Sequence, residues 1–250
     1  MSFIPRLFLP NVPPGQKEIV LDESSTRYLV KVLRLGEGAR FLGFDPQSIQ
    51  YELVLKNADS NQALARVLSR SEQNKRNSQG LIALGQSLPK ATKMDLILRQ
   101  GTEVGVNRFI PLVTQRSISR QESSGREHKN ERWQKILVEA CRQCGRNDVP
   151  RLDPVTEWDK GLELFKEFDL VLLPYEKEAP TLHTVLESKN SAGKILILVG
   201  PEGGWSPVEV REAEEMEAHA VHLPTPIMRT ETAGVAVVSM IQFFKSQTPD

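Results

Sequence analysis

The sequence predicts an α/β protein in two parts: a small β-rich module, then a parallel sheet covered by helices. Three observations carry this. Short apolar runs separated by turn residues fill roughly the first seventy positions, with room for one helix. From about residue 80 the rhythm changes to strands alternating with helices. The later strand runs, such as "KILILV", are nearly continuous Val, Ile and Leu, as a sheet buried on both faces requires.

In chain order, "RLFL", "KEIVL", "ARFLGFD", "YELVLKNA" and "QALARVLSR" read as strands. Between the second and third, "DESSTRYLVKVLRLGEG" reads as a helix capped by Asp22 or Ser24 and stopped by Gly36. Together they predict a β-barrel-like module over residues 1–72. The polar stretch 69–80 breaks the pattern, so a second domain is expected over 73–250. There "GLIALGQS", "RFIPLVT", "DLVLLPY", "KILILVG" and "AVHLP" are strand-like. Helices are expected at "ATKMDLILRQGTEVGV", through "ERWQKILVEACRQCGR", and at 206–218 and 229–244. Residues 114–132 are too polar to pack, which predicts a mobile basic loop.

No run approaches the length of a membrane span, and the polar, proline-containing start is unlike a signal peptide. Two cysteines, Cys141 and Cys144, give no disulfide framework, so a cytoplasmic protein without a membrane partner is expected. The net charge of zero conceals an asymmetry. Residues 1–151 hold 24 Lys/Arg against 15 Asp/Glu, a sum of +9, and residues 152–250 hold 8 against 17, a sum of −9. Such a chain can offer a basic face to a polyanion, although charges distant in sequence can also interleave in space and cancel.

Two strand-to-helix turns stand out. In "VGPEGGWSPVE", Ser206 caps a helix, Pro207 suits its first turn and Glu209 completes a capping box. Gly203 and Gly204 let a ligand approach the backbone, at the carboxyl end of a strand where open α/β sheets bind ligands. Neither a Walker loop nor a dinucleotide fingerprint is present, Pro201 removes an amide and Glu202 repels phosphate. The turn suits a neutral or cationic small molecule, or no ligand at all. The second turn, "LPTPIMRTETA", holds the backbone extended at Pro224 and Pro226. It then crowds a helix start with Arg229, Thr230, Glu231 and Thr232. Two such neighbouring turns outline a cleft.

"LVGPEGGWSPVEV" followed by "LPTPIMRTETA" resembles the C-terminal signature of the SPOUT superfamily of knotted methyltransferases, within it the RsmE family of 16S rRNA uridine-N3 methyltransferases. "RYLVKVLRLGEG", "KMDLILRQGTEVGVNRFIPLVTQRS" and "RWQKILVEACRQCGRNDVP" resemble the family's other blocks, in the same order. The resemblance implies a PUA-like RNA-binding barrel and an α/β domain with a deep trefoil knot. It also implies a homodimer, S-adenosyl-L-methionine as cofactor, and 16S rRNA of the small ribosomal subunit as partner. It places the cofactor against three loops: Leu173 and Pro174; Val199, Gly200, Glu202, Gly203 and Gly204; and Leu223, Pro224, Ile227, Met228, Arg229 and Thr230. Arg229 would stabilise the uracil oxygens, with Glu231 or Glu202 as base or as the group orienting Arg229. Lys31, Arg34, Arg116, Arg120, Arg126, Arg142 and Arg146 are the expected RNA contacts.

The chain departs from the family's pattern at Pro224 and Pro226, which replace a glycine and an arginine, and at Tyr28 and Cys144, which replace a histidine and a serine. "CRQC" and "HAVH" make a poor zinc site, because the histidines fall on a strand, and no metal is expected. Trp133, Trp158 and Trp205 read as packing residues, with Trp205 placed to border the cofactor. The rival readings are ribose 2′-O methylation by a related enzyme, and a non-catalytic ribosome-assembly factor.

Overall fold

The computed structural model describes residues 4–13, 15–72, 80–117 and 126–247, with the backbone alone at 126–128. The chain divides into two compact units, Met1–Lys75 with Cys141–Val149, and Arg76–Ala140 with Pro150–Asp250.

The first unit is built on five strands: β1 (Arg6–Phe8), β2 (Glu18–Val20), β3 (Arg40–Phe44), β4 (Ile49–Asn57) and β5 (Leu64–Glu72). They form one sheet in the order β1-β3-β4-β5-β2, antiparallel except for β1 against β3. Register shifts at Glu52/Leu53 and Leu55/Asn57 are irregularities of the kind that bend a strand and strengthen its twist. The sheet curls around Leu29, Phe41, Leu53, Leu55 and Tyr51, all essentially buried. The Tyr51 hydroxyl is carried inside by donating to Asp45 Oδ2 at 2.6 Å, as a buried phenol requires.

The expected helix after Asp22 forms, but differently. Asp22 caps it, accepting from the Ser25 amide at 2.7 Å. One α-turn (α1, Glu23–Thr26) then widens into a π-turn, Arg27–Val32. The widened turn shifts the hydrogen bonds so that Leu33 donates to Tyr28 and Leu35 to Leu29. Arg34, at φ +53°, ends it two residues before the predicted stop at Gly36.

The second unit carries a sheet of parallel strands: β6 (Leu81–Ser87), β7 (Arg108–Val113), β8 (Arg151–Leu152), β10 (Leu170–Pro174), β11 (Lys194–Val199) and β12 (His219–Val221), in the order β12-β10-β11-β6-β7-β8. A two-residue β9 (Thr156–Glu157) also pairs with β7. Strands β6, β7, β10 and β11 are buried almost throughout, because helices lie on both faces. These helices are α2 (Lys93–Glu103), α3 (Arg126–Cys144), α4 (Trp158–Glu163), α5 (Leu182–Ser188), α6 (Pro207–Glu215) and α7 (Thr230–Gln247). Helix α7 lies over β6 and β11. A Cβ built on Gly234 would come within 3.1 Å of the Leu84 methyls, so the small residue sets the closeness of that packing.

Strands β8 and β9 and helices α4 and α5 were not expected from sequence. The 114–132 stretch also differs from its expectation at both ends. Thr114 and Ser117 are buried, and α3 already runs from Arg126; residues 118–125 lie outside the described residues. Helix α3 reaches Cys144, so its last turn belongs to the first unit. The strand predicted over "AVHLP" ends at Val221, since Pro224 and Pro226 cannot donate to a ladder. At their carboxyl ends β6 and β7 bury polar groups: Gln86 and Ser87 at 0% exposure and Thr114 at 1%. Buried polar groups must be partnered, and their partners define the site.

Candidate active site

A cleft of about 540 Å³ opens at the carboxyl ends of β10 and β11. That volume is within the usual range for a small-molecule site. Three loops wall it: the end of β10 with Pro174 and Glu176, the glycine turn from Val199 to Trp205, and the segment Ile227–Thr230 entering α7. A smaller recess of about 130 Å³ shares Pro174, Glu176, Ile227 and Met228 with it, and adds Tyr175, His222, Leu223, Thr225 and Pro226.

The glycine turn is fixed from both sides. Within it the Gly204 amide donates to Pro201 O at 2.9 Å, with Gly204 at φ +67°. Ser206 and Glu209 form the predicted capping box at the start of α6, and Glu209 also accepts from the Gln115 amide at 2.7 Å. Arg116 lies against the outer side of the turn, donating to Gly203 O at 2.7 Å and to Trp205 O at 3.2 Å. Trp205 is buried with its ring 5.2 Å from that of Trp158, and its indole N–H is without a partner among the described residues. On the inner side, buried Thr230 donates to Gly200 O at 2.6 Å and accepts from Gln86 Nε2 at 2.9 Å. The first residue of α7 thus ties the glycine turn to β6.

Sequence reasoning missed Lys93, in the first turn of α2. Its ammonium lies 2.9 Å from Glu202 Oε1 and 3.2 Å from Glu231 Oε2, so one cation bridges the two predicted catalytic carboxylates. The signal, a lysine opening a helix after a strand, is too common to single out. Burial raises the Glu202 carboxyl, but the hydrogen bonds from Lys93 and from the backbone outweigh this and hold it below the usual range. Glu231 is also lowered, by its own amide first and then, against burial, by Lys93 and Arg229. The hydrogen bond to Glu202 raises Lys93, and that to Glu231 adds to it against desolvation. Both carboxylates are therefore ionised and occupied, a poor state for a general base near neutral pH. Arg229 is exposed; its carbonyl accepts from the Thr232 and Ala233 amides at 2.9 and 3.0 Å, while its guanidinium makes no hydrogen bond or ion pair with the described residues.

The other predicted residues divide. Pro174, Val199, Gly200, Glu202, Gly203, Gly204, Ile227, Met228, Arg229 and Thr230 line the larger cleft, and Leu223 lines the recess. Leu173 is fully buried in the core beneath, and Pro224 lines neither space. Among the predicted RNA contacts, Lys31 and Arg34 are exposed, and Arg116 braces the glycine turn. Arg142 lies over the Tyr28 ring at 4.4 Å and donates to Arg6 O. Arg146 is buried and paired with Asp148 at 2.5 Å, an internal position that turns it away from a polyanion. Arg120 lies outside the described residues, as does the side chain of Arg126. The Cys141 thiol is pushed up to about 12 by burial. No cluster of three His, Cys, Asp or Glu able to hold a metal occurs among the described residues, and none of their helices is long and apolar enough to cross a membrane.

Residues 75–242 match the family model described as "RNA methyltransferase domain". The chain is 29% identical over 221 residues to the ribosomal RNA small subunit methyltransferase E of Bacillus subtilis, covering 86% of each chain. It is 34% identical to that of Aquifex aeolicus over 65% of this chain and 69% of the relative. The crystal structure of the Neisseria gonorrhoeae ribosomal RNA small subunit methyltransferase E, bound to S-adenosyl methionine, superposes with a TM-score of 0.86. That pair is 28% identical and covers 97% of this chain and 98% of the other.

Proposed function

The chain belongs to the RNA methyltransferase domain family, and from that premise we propose that it transfers a methyl group from S-adenosyl-L-methionine to N3 of a uridine in 16S rRNA. The observation that carries the reading is the three-loop cleft with the Arg229 guanidinium on its wall, which has no hydrogen-bond or ion-pair partner among the described residues. The lining fits the cofactor. Pro174, Val199, Ile227 and Met228 offer apolar surface, Glu176 adds a carboxylate, and the Trp205 N–H and Thr225 hydroxyl are polar groups without partners among the described residues. When bound, the cofactor supplies a methyl group already activated by its sulfonium.

The protein then has to position the uracil and stabilise charge on its oxygens as N3 loses its proton. Arg229 serves the oxygens. Glu231 stands two residues away and, held ionised by its own amide and by Lys93, serves as an electrostatic partner rather than a base. The target base leaves its stack to reach the cleft. The same reading includes a PUA-like barrel over 1–72, a methyltransferase domain over 73–250, and a deep trefoil knot. In support of the knot, α7 returns from the edge strand β12 to the middle of the sheet. A homodimer fits the exposed Phe243 on α7 (69%) and Ile227 beside the cleft (86%). Lys31 and Arg34 are the RNA contacts best placed, on the exposed side of the π-turn. We assign the small subunit, in the cytoplasm, as the setting.

The test is methyl transfer from labelled S-adenosylmethionine to small subunits lacking the native modification, with naked rRNA alongside, followed by nucleoside mass analysis. 3-Methyluridine is the expected product. A ribose-methylated nucleoside would replace the N3 assignment, and no methylated nucleoside despite rRNA binding would reject the enzyme reading.

A further inference from the structure

We propose that Lys93 is a positioning residue of the methyl-transfer site, a cationic bridge that fixes Glu202 of the glycine turn and Glu231 of α7 in one geometry. This rests on reading the cleft as that site. Three separate stretches meet at the ammonium: α2 brings Lys93, the loop after β11 brings Glu202, and the first turn of α7 brings Glu231. Glu202 is further held by the Lys90 amide at 3.1 Å. Glu231 Oε2 is buried and without a hydrogen-bond partner of good geometry among the described residues, so the ammonium at 3.2 Å holds it as an ion pair.

Among the described residues, three other charged groups border the bridge. Arg229 bears on Glu231 from one residue before the start of α7, Glu176 lines the same cleft from the β10 side, and Arg116 is engaged on the outer face of the turn. Without Lys93 the two carboxylates would face each other across the space it occupies. Without the cation, each carboxylate disfavours the charged form of the other, so their titration moves up toward the range where the enzyme works. Thr230 still ties the glycine turn to the α7 start through Gly200 O, so the loss falls on the two carboxylates and on Arg229 beside them. Lys93 therefore keeps the electrostatics of the cleft constant across neutral pH, while contributing no proton of its own.

The experiment compares the wild type with Lys93→Met, Lys93→Arg and the double variant Lys93→Met/Glu202→Gln. It reads S-adenosylhomocysteine binding by calorimetry and the pH dependence of methyl transfer to small subunits. Lys93→Met is expected to lower kcat about tenfold and to move the acid limb of the profile up by about one pH unit. Lys93→Arg should stay within about threefold of the wild type. Adding Glu202→Gln to Lys93→Met should return the acid limb to its wild-type position, since a single carboxylate has nothing left to repel. A purely structural role would give a loss of melting temperature with no movement of the limb. A Lys93→Met profile parallel to the wild type, or a double variant that keeps the shift, overturns the proposal. Should Lys93→Met not fold, a Lys93→Arg enzyme with a displaced limb would overturn it equally. Wild-type protein that neither binds S-adenosylhomocysteine nor makes 3-methyluridine would instead sink the reading of the cleft.

Discussion

Replacing Thr230 by valine removes one oxygen and keeps the shape. The hydroxyl donates to Gly200 O at 2.6 Å and accepts from Gln86 Nε2 at 2.9 Å, and the residue is 7% exposed. Gln86 Nε2 keeps a second acceptor, Ser87 O at 2.9 Å, so its loss is one ordinary bond. Gly200 O loses the donor it has, at a half-buried position on the cleft wall. One ordinary bond at about 1 kcal/mol and one orphaned acceptor at about 1–2 kcal/mol sum to roughly 2–3 kcal/mol. For a unit of this size that corresponds to a fall in Tm of roughly 4–12 °C. Urea unfolding followed by tryptophan fluorescence reads the right part of the molecule, because Trp133, Trp158 and Trp205 all lie in the second unit. Thr230→Ser, which keeps the hydroxyl, should stay within about 1 kcal/mol of the wild type. S-adenosylhomocysteine affinity should fall in Thr230→Val as the glycine turn loses its inner tether. A destabilisation below about 0.5 kcal/mol would mean that the hydroxyl does not hold the turn.

Arg229→Ala should reduce kcat by about 10²–10³-fold, as loss of an oxyanion-stabilising group does, while Tm stays close to that of the wild type because the guanidinium holds nothing in the fold. Asp153→Ala strips the acceptor of Arg108 Nε and Nη2, at 3.0 and 2.6 Å. It should cost about 3 kcal/mol in urea unfolding, the low end for a broken buried pair because Glu167 still receives Nη1. Burial, with the hydrogen bond to Asp45, pushes the Tyr51 hydroxyl from 10.0 to about 12. The unfolded chain therefore ionises first. The stability that Tyr51 gives over Tyr51→Phe should be complete below pH 10 and shrink between pH 10 and 12, measured by denaturation at stepped pH.

What the sequence revealed of the fold was what lies within a few residues. The α6 start was legible because Ser206, Pro207 and Glu209 are consecutive signals acting on one turn. Strands β6, β7, β10 and β11 were legible because burial on both faces leaves continuous apolar runs. Strands β8 and β9 have two residues each, too few to carry a period. The π-turn escaped because its apolar spacing resembles that of an α-helix over so short a stretch. In the site, the glycine turn was legible and its clamps were not. Lys93 meets Glu202 and Glu231 across more than half of the second unit's length, and Arg116 reaches Gly203 from a stretch whose polarity argued against packing at all. Arg146 misled for a related reason: its charge looked free, but its partner, Asp148, stands two residues on and holds it inside.

Pro224 and Pro226 are the chain's departures from the family pattern in the third loop, and neither stands on the wall of the larger cleft. Pro224 lines neither the cleft nor the recess, and Pro226 lines only the recess. The residues that the third loop gives to the wall of the larger cleft, Ile227, Met228, Arg229 and Thr230, all retain their amides. Two prolines flanking Thr225 restrict the backbone on either side of it, which lowers the freedom lost when a ligand orders the loop. The hydrogen-bonding capacity they remove lies mostly away from the larger cleft, and Thr225 brings a buried, unpartnered hydroxyl to the recess between them. The departure from the family pattern therefore falls on the recess, while the third loop's part of the larger cleft wall keeps its backbone donors.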